Sequence, residues 1–164
     1  IRITLLNLEA VPVKNQTVFT SVQGDATDLS AWADKSVDLV FSNSVIEHLF
    51  TWAQQQKMAS EVQRVGRSYF IQTPNRYFPM EPHWLIPFFQ FMPRSIRIAL
   101  TRSGAWGHMP RLSDNQAAAK LVDEVRLLTA SEMKTLFPAA HIYYEYMFGM
   151  VKSVSAYHIA TPQS

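Results

Sequence analysis

The segment from Val37 to Leu49 constrains the fold of this chain more than any other. It reads VDLVFSNSVIEHL, so a short apolar strand, Leu39 to Phe41, runs into small polar residues and then toward an amphipathic helix. In an open α/β sheet, ligands bind outside the carboxyl ends of the strands. The sequence therefore predicts a binding crevice at this point.

A strand upstream ends in the same way. Val18 to Val22 is apolar enough for a strand and is followed by Gly24-Asp25-Ala26. Two successive strands that end in such residues at this spacing are typical of a nucleotide-type site. The candidate residues at the two strand ends are Asp25, Ala26, Ser42, Asn43, Ser44, Glu47 and His48.

Strand and helix patterns alternate along the rest of the chain. Alternation of this kind predicts an α/β fold with a doubly wound, mostly parallel, Rossmann-like sheet, and the last two strands predict an antiparallel hairpin. The helix over 54–65 places Met58, Val62 and Val65 on one face, and Gly66 is expected to end it as helix-terminal glycines usually do. The further predicted elements are strands over 1–8 and 68–72, helices that begin at Ser113-x-x-Gln116 and Thr129-x-x-Glu132, and a hairpin of 141–148 and 151–159 joined at Gly149.

Residues 76–111 differ in character because they combine seven aromatic residues with five prolines. We interpret them as an irregular insertion or lid over the carboxyl edge of the sheet. The aromatic residues could wall an apolar acceptor pocket. Alternatively, the stretch 84–102, which carries Arg94, Arg97 and Arg102, has the apolar and basic character of a membrane-interface segment. A third alternative is that these aromatic residues only complete the core.

Composition excludes several classes of function. The chain has no cysteine, which excludes disulfides, thiolate metal sites and cysteine nucleophiles and is compatible with a reducing, cytoplasmic location. The net charge is only +2, and the two halves carry about −1 and +3, so we expect no nucleic-acid surface. No apolar run approaches the roughly 20 residues of a membrane-spanning helix.

The motifs resemble those of class I S-adenosylmethionine-dependent methyltransferases of the small-molecule, bacterial type. The resemblance covers residues 1–83 in order and spacing, and residues 111–164 only as a helix followed by a terminal hairpin. The segments that carry it are Gly24-Asp25-Ala26, DLVFSNSVIEH at 38–48, FIQTPN at 70–75 and FPMEPH at 78–83.

This resemblance implies that strands two to five of the family lie at 1–8, 18–22, 37–41 and 68–72. The family's first strand and its Gly-rich loop, which cradles the cofactor, have no counterpart in the sequence. We therefore expect residues 1–164 to form a single partial domain, truncated at its N-terminus, with a lid at about 76–111. We also expect this fragment alone to be poorly stable and inactive, since two strand edges would lack partners.

The resemblance also assigns the cofactor-binding roles for S-adenosyl-L-methionine. Asp25 would accept from the adenine amine, and the Ala26 backbone N–H would reach the ring. Asn7 lies where the family usually has an acidic residue that binds the ribose hydroxyls. Glu9 could bind these hydroxyls instead. Ser42, Asn43 and Ser44 would line the cleft beside the sulfonium. The alternatives are that Asp25 only satisfies its own turn and that 42–44 form a helix N-cap cluster.

For catalysis, His83 is the best general base by residue type, and His48 is the second candidate. Alternatively, Glu81 and His83 could only stabilise the fold of the lid, and His48 could be a buried structural histidine. Glu47 could be a first-turn carboxylate that interacts favourably with the helix dipole. The sequence shows no cluster with metal-ligand spacing, and we expect no metal.

The expected function is therefore methyl transfer from S-adenosyl-L-methionine to a small-molecule or lipid-like acceptor, with peripheral membrane contact through 84–102 as a further expectation. Two alternatives stay open. The chain could be a non-catalytic methyltransferase-like module that binds a partner, which Asn7 would allow. It could also be a nucleotide-dependent oxidoreductase on a similar fold, although the run from Asp38 to His48 does not suit that class.

Overall fold

The computed structural model describes residues 1–9 and 11–161 and has an α/β architecture. The strands are β1 (Ile3–Asn7), β2 (Phe19–Gln23), β3 (Val37–Asn43), β4 (Gly66–Pro74), β5 (His141–Met147) and β6 (Met150–His158). The α-helices are α1 (Trp52–Val65), α2 (Arg94–Ser103), α3 (Asn115–Asp123) and α4 (Ala130–Leu136), and 3₁₀ turns lie at Ile46–His48 and Phe89–Phe91.

The strand pairing is mixed rather than mostly parallel. β1 pairs in parallel with β2, and β3 pairs in parallel with β4. β6 runs antiparallel to both β4 and β5, which gives the order β3-β4-β6-β5. The prediction of a mostly parallel sheet is therefore wrong. The two strands of the terminal hairpin pair antiparallel with each other, and β6 also pairs antiparallel with β4 at the centre of the sheet.

The hairpin itself is confirmed, and its turn follows from Gly149. Phe148 and Gly149 both adopt positive φ, at 51° and 76°. Two successive residues of this kind form the turn that matches the twist of a two-residue hairpin, and glycine adopts that backbone without steric cost.

Within the described ranges, no hydrogen-bonded ladder joins β1 to β3. The residues of both strands border one cleft, and their outer apolar side chains, such as Leu5, Leu39 and Phe41, are exposed. Strands of a parallel sheet that carry such apolar side chains on both faces are normally covered on both. The doubly wound arrangement and the missing first strand stay predictions.

The main core lies between α1, α4 and one face of the β3-β4-β6-β5 sheet. Met58 and Val62 of α1 are buried there, as the helical period predicts, together with Ile71 of β4 and Val154 of β6. The buried Phe137, which follows α4, stacks at a tilt against Tyr69, with ring centroids 5.5 Å apart.

Gly66 does not end α1 in the expected left-handed conformation. Its φ is −82°, and β4 begins at this residue without an intervening loop. Glycine is required for space: a Cβ here would lie 2.9 Å from the carbonyl oxygens of both Val62 and Ser68.

The two predicted capping boxes have different outcomes. At α4, the Thr129 hydroxyl accepts from the Glu132 amide at 3.2 Å while the Thr129 amide donates to the Glu132 carboxylate at 2.8 Å, which confirms the box. At α3, the box from Ser113 is wrong. Asp114 caps that helix and accepts from the Ala117 amide at 2.6 Å, because a carboxylate at the next position is the stronger acceptor.

The aromatic segment forms a small core of its own. Trp84, Phe89 and Ile98 are buried with Ala118 and Val122 of α3. The segment is less irregular than predicted, since α2 is a regular helix of ten residues that begins directly after Pro93, where a missing N–H does no harm. None of the helices in ranges 1–9 and 11–161 is long and apolar enough to cross a membrane.

Candidate functional site

A cleft of about 580 Å³ lies between β1 and β3. Four of the residues predicted to bind a cofactor line it: Asn7, Ala26, Ser42 and Asn43. The rest of the lining is largely apolar and comes from β1, β3 and α1. The fold thus brings together residues from three separate strand ends, as the sequence analysis expects for a binding crevice.

Asp25, predicted to accept from the adenine amine, lies beside this cleft rather than in its lining. Its carboxylate accepts from the Thr27 amide at 2.8 Å. This contact is the one expected if Asp25 satisfies the backbone of its own turn. The side chain is also exposed to solvent. One of its oxygens is therefore engaged locally, while the exposed position leaves the carboxylate accessible to a ligand.

Asn7 and Glu9 lie at the carboxyl end of β1, and both are exposed. The Asn7 carbonyl accepts from the Gly24 amide at 2.9 Å and so joins the ends of β1 and β2. A Cβ at Gly24 would come within 2.8 Å of a Leu6 methyl group. This close approach holds the turn at Asp25 next to Asn7.

The end of β3 carries strain and an unpaired hydroxyl. Ser44 has φ of 53°, a rare backbone for serine, and its amide and hydroxyl donate to the Gln72 carbonyl and side-chain oxygens, both at 3.1 Å. Ser42 is buried, and its hydroxyl has no hydrogen-bond partner. The N-cap interpretation of residues 42–44 is wrong, since Thr51 caps α1.

Glu47 is fully buried directly after this strand end. Its Oε2 accepts from the Thr73 hydroxyl at 3.0 Å, whereas its Oε1 has no partner. Burial raises the pKa of this carboxyl above its ordinary value. The helix-dipole interpretation is wrong, because Glu47 lies in an isolated 3₁₀ turn and not in the first turn of α1.

The two histidines predicted as catalytic candidates lie in contact. The Nε2 atoms of His48 and His83 are 3.2 Å apart, and the rings meet edge to face. His48 retains an exposed edge, but the protein atoms around its ring desolvate it, and this burial together with the nearby His83 lowers its pKa. His83 comes from the lid segment, so the contact joins the lid to the end of β3.

Glu81 fixes the orientation of His83. Its Oε2 accepts from the backbone amides of His83 at 2.8 Å and Trp84 at 2.7 Å. Its Oε1 lies 2.7 Å from His83 Nδ1, and since this oxygen is an acceptor, Nδ1 carries the proton. The Nε2 lone pair of His83 therefore faces His48. Glu81 both fixes the lid and positions a candidate base.

A second cavity of about 820 Å³ adjoins the same strand ends. It shares Asn43 with the first cleft and includes Ser44 and Gln72. Apolar residues of the lid, Met80 and Leu85, form part of its wall. Another part of the wall is polar and includes Glu145 and Lys152. Asn43 thus borders both the first cleft and this larger, open cavity.

Three residues with no predicted role in the site hold it together. Thr73 binds Glu47, Gln55 donates to the Ile46 carbonyl at 3.0 Å, and the Arg126 amide donates to the Glu47 carbonyl at 2.7 Å. These contacts join positions 9 to 79 residues apart. The only local signal is at Gln55, which is polar at a position three residues before the buried Met58.

Comparisons with known proteins match this part of the chain. Residues 3–69, from β1 into β4, match the family model described as a methyltransferase domain. Two uncharacterized proteins from strains of Mycobacterium tuberculosis are each 40% identical over 57 residues, or 35% of this chain. The match covers 20% of each of those proteins, so the chain spans only a small part of the curated relatives it matches.

Solved structures share the fold at low identity. A SAM-dependent methyltransferase from Methanosarcina mazei is similar with a TM-score of 0.55 and 12% identity over 96% of this chain and 82% of that chain. A Bordetella parapertussis protein described as a possible exported protein is similar with a TM-score of 0.50 and 11% identity, over 88% of this chain and 45% of that chain. Together, these comparisons show that residues 3–69 are similar to a methyltransferase domain and that the chain shares its fold with these solved structures.

Proposed function

We propose that this protein transfers a methyl group from S-adenosyl-L-methionine to a small-molecule or lipid-like acceptor. The observation that carries the proposal is the cleft between β1 and β3, where Asn7, Ala26, Ser42 and Asn43 converge inside the segment that matches a methyltransferase domain. An apolar wall with a few polar groups at strand ends suits an adenosine ring and its ribose.

The acceptor would lie on the other side of Asn43, in the cavity beside the lid. Methyl transfer is an in-line displacement at the sulfonium methyl with a neutral thioether as leaving group, so the protein contributes mainly alignment and exclusion of water. An acceptor hydroxyl would need a base. His83 and His48, which contact each other, are the candidates by residue type, but neither lines this cavity, so the lid or the acceptor would have to bring the hydroxyl to them.

The apolar wall of this cavity favours a lipid-like or aromatic acceptor. Leu85, Phe88 and Phe91 of the lid are also exposed, which supports the proposal of peripheral membrane contact through 84–102. A cytoplasmic location is part of the same proposal.

Calorimetric titration of S-adenosylhomocysteine into the intact protein tests the cofactor site. We expect micromolar binding that Asp25→Ala abolishes, while Asp38→Ala, which removes an exposed carboxylate on β3, leaves binding unchanged. No binding by well-folded wild-type protein would contradict the proposal. Equal binding by wild type and Asp25→Ala would leave only the turn role for Asp25.

A second candidate is a non-catalytic methyltransferase-like module that binds a protein partner. Asn7 favours it, because an amide holds a ribose diol less strongly than a carboxylate would. The same titration separates the two candidates: a folded protein without cofactor affinity supports the module.

A further inference from the structure

We infer that Glu47, His48 and His83 form a binding site for one divalent transition-metal ion. The proposal goes beyond cofactor binding, because none of the three residues lines the cleft between β1 and β3. It rests on how the side chains are placed and on an unpaired buried oxygen.

The spacing of the ligand atoms suits a metal ion. One ligand atom from each residue lies within 4.8 Å of the other two, and the two histidine Nε2 atoms are 3.2 Å apart. With metal–nitrogen bonds of about 2.0–2.1 Å, neighbouring ligands of a tetrahedral ion lie about 3.3 Å apart. The histidine pair thus already has the separation that an ion between them requires.

The carboxylate of Glu47 supplies an independent observation. Glu47 is fully buried, and its Oε1 has no hydrogen-bond partner although Thr73 holds Oε2. Buried polar atoms are nearly always paired, and an unpaired one destabilises the fold. A cation next to Oε1 would provide the missing partner.

The neighbours of the site prepare His83 to bind. Glu81 Oε1 holds His83 Nδ1 at 2.7 Å, which leaves the Nε2 lone pair free to face the site. Metal-binding histidines almost always donate their other ring nitrogen to a carboxylate or carbonyl in this way. Glu81 is therefore a positioning residue and not a ligand.

The ligand set indicates which ions would bind. Two imidazole nitrogens and one carboxylate oxygen favour ions such as Zn²⁺ or Co²⁺ over Mg²⁺ or Ca²⁺, which prefer oxygen. Three protein ligands leave at least one position open, and His48 is exposed, so water or an acceptor oxygen could reach the ion. The competing explanation is a hydrogen-bonded histidine pair without an ion.

Titration of Co²⁺ into the metal-stripped intact protein tests the site without cofactor or acceptor. We expect visible absorption bands that saturate at one equivalent and disappear when Zn²⁺ is added. His48→Gln and Glu47→Gln should each weaken binding more than about 100-fold, and Glu81→Gln about 10–100-fold, the range for loss of an outer partner. The control His141→Gln, an exposed strand histidine, should bind as wild type does.

The inference is overturned if Co²⁺ produces no bands, or if the His48→Gln and Glu47→Gln proteins bind it as tightly as His141→Gln does. Circular dichroism verifies the fold of each variant. If His48→Gln does not fold, the Co²⁺ affinity of Glu47→Gln alone decides between the metal site and a metal-free histidine pair. The test is independent of the proposed function. Metal binding without S-adenosylhomocysteine binding would contradict the proposed methyl transfer but support the metal site.

Discussion

Replacing Gln55 should destabilise the protein, because three hydrogen bonds depend on this buried side chain. It is fully buried on α1, and its amide donates to the carbonyls of Ile46 at 3.0 Å and Arg126 at 2.9 Å, while its Oε1 accepts from the Arg126 guanidinium at 2.6 Å. These bonds join α1 to the turn that carries Glu47 and to the segment before α4. Gln55→Leu keeps the volume but removes all three.

The expected loss is about 3 kcal/mol of unfolding free energy. A neutral hydrogen bond contributes about 1 kcal/mol and one to a charged group about 1.5–3, and a buried carbonyl left unpaired loses its partner without regaining water. Two contacts limit the effect: Ile46 still accepts from the Leu49 amide, and Arg126 keeps Glu132. The buried leucine side chain offsets a further part of the loss.

Urea denaturation followed by circular dichroism measures this loss. With a slope of about 2 kcal/mol per molar urea, the midpoint should fall by about 1.5 M if unfolding is two-state. Gln56→Leu is the matched control, since Gln56 is the exposed next residue of the same helix and should stay within about 0.5 kcal/mol of wild type. Equal midpoints for the two variants would refute the reasoning.

Two further substitutions test the backbone and the charges. Gly66→Ala should destabilise the protein more than Gly149→Ala, because a Cβ at Gly66 would meet two carbonyl oxygens at 2.9 Å. A Cβ at Gly149 would meet open space, and the positive φ there costs alanine only about 1–2 kcal/mol. Thermal melts compare the two variants, and the reverse order of stability would contradict the packing argument. Glu145 accepts from Ser153 at 2.6 Å and Lys152 at 2.9 Å, which lower its pKa. Its contribution to stability is thus present above the ordinary value of 4.5 and lost as pH falls through the folded value, so Glu145→Gln should differ from wild type at neutral pH and converge with it in acid. A pH-independent difference would exclude this linkage.

Local sequence patterns predicted several elements correctly. The spacing of Met58 and Val62 predicted the buried face of α1, and Thr129 with Glu132 predicted the start of α4. Gly149 predicted the hairpin turn. Such features depend on sterics and hydrogen bonds within a few residues, which any chain with that sequence shares.

Other predictions failed because a local pattern had more than one solution. The Ser113 pattern was compatible with a capping box, but Asp114 is the better acceptor one residue later. The small polar residues at 42–44 are typical of helix caps, but the chain first makes a 3₁₀ turn that buries Glu47, and α1 begins only after Thr51. The first choice is local and follows from the stronger acceptor, whereas the second depends on the packing that buries Glu47.

The sequence by itself determined that strands end in small and polar residues at Asp25 and Asn43 and that a ligand site should lie there. Only the tertiary structure decided which distant side chains meet: His83 with His48, and Thr73 with Glu47. The physical reason is that strand ends and helix faces follow from short-range geometry, whereas these contacts arise only when the lid and β4 dock against the end of β3. Loop closure over 26 to 35 residues leaves no periodic trace in the sequence.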